Sequence, residues 1–116
     1  MTSSNSLPEG SKLTRNAFKM KLKPGCEAEY ERRHSEIWPT LVAELRAAGI
    51  AEYSIFLDEE TLTLFAVQKV SDGNTAAKLP DSPMVKKWWR YMAPLMETHP
   101  DHSPVSGELK EMFHLD

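Results

Sequence analysis

The chain has 116 residues, enough to bury a single core without disulfide staples or a structural metal. Its 14 basic and 17 acidic residues leave a net charge of −3 with no block of either sign, which excludes the electrostatic footprint of a nucleic-acid or anionic-membrane binder. No apolar run approaches the roughly 20 residues of a bilayer span, no signal-peptide pattern opens the chain, and the lone Cys26 excludes a disulfide framework, so a cytoplasmic protein is the simplest fit.

Residues 1–14 (MTSSNSLPEGSKLT) are small, polar and broken by Pro8 and Gly10, and read as a disordered polar leader. That leaves residues 15–116 as one domain. Asn16 to Leu22 alternates, with Phe18, Met20 and Leu22 on one side and Ala17, Lys19 and Lys21 on the other, which predicts a half-buried strand. Lys23-Pro24-Gly25 closes it.

A helix is predicted from Cys26 or Glu27 to Ala48. Glu27 and Glu29 favour the dipole in its first turn, and Gly49 terminates it. Its apolar stripe is Tyr30, His34, Ile37, Leu41 and Leu45. Pro39 falls inside this pattern, so a kink or short break is expected near Ile37-Trp38, leaving backbone groups free close to His34. Tyr30 and His34 stand four apart and share a face. The pair is either the wet end of an ordinary amphipathic stripe or a phenol and imidazole set beside a small polar substrate.

Tyr53 to Leu57 and Leu62 to Val70 read as two strands joined by the polar turn Asp58-Glu59-Glu60-Thr61. Tyr53, Ile55 and Leu57 share a face; Tyr53 either hangs at the edge of a pocket or simply packs. Ser71 to Lys78 is loop, with a turn of helix around Thr75 to Lys78. A second helix starts at Ser82 with Pro83 in its first turn, and Val85, Trp88, Trp89, Met92, Leu95 and Met96 form its stripe. Pro94 should bend or fray its end. Adjacent tryptophans diverge by about 100° around a helix, so only one can point fully into the core. Together they are either core and lip or a stacking platform of the kind that receives a sugar's C–H face. His99 to Val105 is a rigid polar loop, and Gly107 to Leu115 reads as a last strand containing His114.

The order is β-α-β-β-α-β, an α+β fold of the ferredoxin-like type with an antiparallel sheet and two helices on one face. An open sheet face and edge strands call for cover, which a homodimer would supply.

No pair among the four histidines has metal-ligand spacing with a third ligand in view; His99 and His102 lie together only in a loop. Serine and cysteine nucleophile motifs and a Gly-rich phosphate loop are missing. The helical acids Glu27, Glu31, Glu36 and Glu44 mostly fall off the stripe, against paired-carboxylate chemistry. What remains is one imidazole, a hydroxyl neighbour and aromatic walls, which suits proton shuttling on a small neutral molecule with no metal or cofactor.

Several blocks carry a specific resemblance: Ala17-Phe18 with Pro24; Glu29-Tyr30, Arg32-Arg33-His34 and Ile37-Trp38-Pro39; Tyr53 with Leu57-Asp58; Trp88-Trp89 with Tyr91-Met92; and Pro100-Asp101 with Ser103-Pro104-Val105. The chain resembles the L-rhamnose mutarotase family, small enzymes that interconvert the α and β anomers of L-rhamnose. The resemblance runs over residues 16–115. It implies a dimeric α+β barrel, His34 as proton donor and acceptor, and Tyr30, Tyr53, Trp88 and Trp89 as sugar contacts. Two features depart from the pattern: His99 and His102 stand where the family tends to asparagine, and Pro94 sits inside the second helix. Two other readings remain: a non-catalytic sugar-sensing or assembly module on the same fold, and a cofactor-free monooxygenase, for which the polar pair is a poorer fit.

Overall fold

In a computed structural model the described residues are 13–116. They form an α+β fold: strands β1 (Leu13–Lys21), β2 (Ile50–Asp58), β3 (Thr63–Ser71) and β4 (Gly107–Leu109), with helices α1 (Glu27–Ser35), α2 (Pro39–Ala47) and α3 (Pro83–Met92). The sheet order is β2-β3-β1-β4, and each neighbouring pair is antiparallel. The expected leader lies outside the described residues up to Lys12. Its last two residues, Leu13 and Thr14, belong instead to β1, because β3 runs on to Ser71 and gives them partners (Leu13↔Ser71, Thr14↔Val70).

Pro39 divides the first predicted helix in two. Inside a helix it would lack an N–H and crowd the carbonyl four residues back. The chain therefore leaves α1 after Ser35, takes Trp38 through an extended conformation, and restarts with Pro39 in the first turn of α2, where a missing N–H costs nothing. The expectation of free backbone groups beside His34 fails at its carbonyl, which accepts from the N–H of Ile37 at 3.2 Å.

The β2–β3 hairpin forms as expected, tightened by Asp58, whose carboxylate accepts from the Glu60 N–H and the Thr61 hydroxyl. β2 extends beyond the predicted Tyr53–Leu57 at both ends, and β3 is displaced by one residue from the predicted Leu62–Val70. The pairing steps from Ala51↔Lys69 to Ser54↔Val67, so Glu52 and Tyr53 together oppose Gln68. This is a β-bulge, with Glu52 at φ 48°.

A 3-10 segment, Ala76–Asp81, leads to α3. Ser82 caps α3 by accepting from the Val85 N–H and also donates to the Glu44 carboxylate of α2. Pro94 ends the α-helix at Met92, and a 3-10 turn, Ala93–Leu95, follows.

β4 is much shorter than the predicted Gly107–Leu115. It pairs only with Ala17–Lys19 of β1. Beyond Leu109 the strand would have one neighbour and no apolar face to cover, and Met112, Phe113 and Leu115 are 83%, 80% and 79% exposed. His114 accordingly lies outside the strand, against Asp116.

Alternation decides the faces. Met20, Leu22, Leu64 and Ala66 point to the helices and join Tyr30, Met92, Leu95 and Met96 in one buried cluster. Leu41, Ala48, Ile50 and Val85 are buried apart from that cluster. On the opposite face Phe56, paired with Phe65, is 62% exposed. Among the described residues no helix is long and apolar enough to cross a membrane.

Candidate active site

The helical side of the sheet is incompletely filled. An open hollow of 1430 Å³ runs between the sheet and the helices, its floor including Phe18, Met20, Ile55 and Gln68. Tyr30, His34, Tyr53, Trp88 and Trp89, all five residues singled out in the sequence, border it.

α1 supplies the first pair. Tyr30 is buried in the core cluster, while His34, one turn later, is half-buried. The two rings lie 4.4 Å apart between centroids at 32°. His34 Nδ1 is 3.1 Å from the Tyr30 carbonyl oxygen. A carbonyl only accepts, so Nδ1 carries the proton, and the neutral ring keeps its lone pair on Nε2. Burial pulls the His34 pKa below the ordinary histidine value, partly opposed by the bond to the Tyr30 carbonyl.

Two phenols face the same space. Burial, and then the neighbouring Tyr53, push the Tyr30 hydroxyl well above the ordinary tyrosine value. Burial alone pushes Tyr53 up to about 12. Tyr53 nevertheless keeps 39% of its surface exposed, because it walls an open hollow rather than a closed core. The bulge puts Tyr53 there, with its ring edge-on to Phe18 at 6.4 Å. Both hydroxyls therefore stay protonated at neutral pH and can donate hydrogen bonds.

α3 supplies the aromatic wall. Trp88 meets His34 edge-on at 5.3 Å. Its other neighbours are Trp38 at 5.0 Å and Tyr91 at 5.7 Å, and Trp38 and Tyr91 lie 5.4 Å apart. Trp89 borders the hollow beside it, so neither tryptophan is given over wholly to the core. Trp38 and Tyr91 back the wall without bordering the hollow. Sequence reasoning left them without a role, since a contact between the α1–α2 break and the end of α3 has no local signal.

His99, Ser103, Pro104 and Ser106 bring the 99–106 loop to the rim. His99 thus stands at the edge of the site. His102 adopts φ 73°, a left-handed conformation that asparagine enters more readily than most residues. Among the described residues no group of three His, Cys, Asp or Glu side chains could hold a metal.

This arrangement offers a neutral imidazole with a defined basic nitrogen, two neutral phenols and flat aromatic surfaces around space for a small polar molecule. A family model described as L-rhamnose mutarotase matches residues 15–115. The chain belongs to the L-rhamnose mutarotase family. It is 56% identical to the L-rhamnose mutarotase of Flavobacterium johnsoniae over 102 residues, covering 88% of this chain and 95% of that protein. The Bacteroides thetaiotaomicron L-rhamnose mutarotase is 53% identical over 104 residues, 90% of this chain and all of its relative. The crystal structure of the L-rhamnose mutarotase of Formosa agariphila superposes with a TM-score of 0.82 at 50% identity, covering 89% of this chain and 99% of that one. The mutarotase resemblance therefore extends to backbone geometry.

Proposed function

We propose that this chain is an L-rhamnose mutarotase, with His34 as the proton carrier and Tyr30, Tyr53, Trp88 and Trp89 as sugar contacts. The observation that carries this reading is the Nδ1–H···O=C bond from His34 to Tyr30, which leaves Nε2 as the basic nitrogen of a ring that borders the hollow. Nε2 takes the proton of the anomeric hydroxyl as the bond from C1 to the ring oxygen breaks. The ring oxygen takes up a proton from the imidazolium, from the Tyr30 phenol or through a water. Rotation about C1–C2 presents the other carbonyl face, and reclosure runs the same transfers in reverse. Acid–base help of this kind is typically worth about 10²–10⁴ in rate. Trp88, Trp89 and Tyr53 hold the ring while the open form turns.

The working molecule is, on this reading, a cytoplasmic homodimer of ferredoxin-like units, a dimeric α+β barrel. A second chain laid over the sheet face away from the helices would cover Phe56, which is 62% exposed there. Sedimentation of the purified protein tests this, and a monomer at micromolar concentration would overturn it. The activity is tested by saturation-transfer NMR of L-rhamnose anomers with and without the protein. A sugar that binds without faster exchange would leave a non-catalytic sugar-sensing module instead.

A further inference from the structure

The His34 imidazole rides on the last turn of a nine-residue helix that stops one residue later. So short a helix holds its end weakly by itself. The α1 and α3 backbones make few close approaches, so side chains set the gap between His34 and Trp88. Arg33 stands at that gap from behind. Its Nη1 donates to the Tyr91 carbonyl at 2.5 Å, its Nε donates to the Glu29 carboxylate at 2.6 Å, and its Cζ lies 4.2 Å from the centre of the Tyr91 ring. The side chain is only 19% exposed.

The Tyr91 carbonyl belongs to the last turn of α3, whose carbonyls lack intrahelical partners and carry the negative end of the dipole. A guanidinium satisfies it, sits over the Tyr91 ring, and still reaches Glu29. A lysine ammonium lacks the planar fork needed for all three contacts. Tyr91 then packs on Trp88, and Trp88 meets His34, so the contacts leave α1 at Arg33 and return to it at the next residue. Arg33 itself does not border the hollow.

We infer that Arg33, held by Glu29, is a positioning residue that sets the His34 imidazole against Trp88 by pinning the end of α1 to the end of α3. The inference rests on the mutarotase reading for its kinetic consequence. It goes beyond that reading in naming residues that act without touching the sugar.

The test compares Arg33→Met, Arg33→Lys and Glu29→Gln with the wild type. It measures kcat and KM for L-rhamnose anomer exchange, thermal stability, and the NMR shift of the His34 ring protons beside Trp88. The expected result for Arg33→Met is a kcat about 10–100-fold lower, the size of a misplacement of about 1 Å, with KM little changed and the His34 resonance moved. Arg33→Lys should recover stability but not kcat, and Glu29→Gln should give a smaller loss of the same kind. A wild-type kcat in Arg33→Met overturns the inference, as does a rise in KM alone or a loss of kcat with the His34 resonance in place. Should Arg33→Met not fold, the other two variants decide on the same criteria. Should the wild type not exchange anomers, the mutarotase reading falls. The His34 resonance in the three variants would then still show whether Arg33 places the ring.

Discussion

His34 donates through Nδ1 to the carbonyl oxygen of Tyr30, one turn earlier on α1, at 3.1 Å. The bond does two things at once. It selects the tautomer, and it anchors the ring to the helix that also carries the phenol proposed to assist it.

Replacing His34 with alanine should therefore remove catalysis without removing the site. The expected loss in kcat is about 10²–10⁴, the range for a positioned acid or base. Helix content should be unchanged, since the exchange favours helix and His34 is only half-buried. Anomer exchange and circular dichroism together check this; a variant that still exchanges at the wild-type rate would remove His34 from the mechanism.

The pH profile follows from the direction of the His34 shift. On the proposed mechanism the working base is the neutral ring, so kcat/KM should be level above the His34 pKa and fall as pH drops through it. Burial places that midpoint below the ordinary 6.5. Stability carries the same sign: the folded state resists protonation, so the contribution is present above 6.5 and is lost as pH falls through the folded value. Kinetics from acid to neutral pH measure the midpoint, and one above 6.5 would contradict the buried neutral ring.

The two phenols should separate in steady-state kinetics. Tyr30→Phe keeps the ring stacked on His34 but removes a proposed proton donor, and is expected to lower kcat about three- to tenfold. Tyr53→Phe removes a proposed sugar contact and should raise KM by about the same factor. If both changes fall on KM alone, Tyr30 has no part in proton transfer.

Ser82→Ala tests the fold apart from the chemistry. It removes the cap of α3 and the tie to Glu44, with an expected cost of about 0.5–2 kcal/mol from the cap. Urea unfolding measures it, and kcat of the folded fraction should be unchanged. An unaltered midpoint would mean that Pro83 and packing alone start the helix.

Local rules placed several of these residues side by side but left their role open, and the family resemblance supplied it. Tyr30 and His34 are one helical turn apart, Pro39 cannot lie inside a helix, and Tyr53 shares a strand face with Ile55. What escaped depends on distant partners. Arg33 and Glu29 can be read as a spacing-four pair, but nothing local says that the same guanidinium reaches Tyr91. Trp38 looked like part of a helix break, not the back of a wall. The bulge at Glu52 also escaped, since Ala51-Glu52-Tyr53 carries no glycine to announce it. The end of β4 was overextended because the apolar residues 112, 113 and 115 look strand-like while finding nothing in one chain to cover.

The bulge also has a consequence for how this chain tolerates change. In a regular strand, residues three apart point to opposite sides, yet Ile50 is buried toward the helices and Tyr53 reaches the hollow on that same side. One inserted position reverses the parity between them. The count of residues between Ile50 and Tyr53 is therefore what the hollow depends on: deleting Ala51 or Glu52 would keep the strand and turn the tyrosine away from the hollow.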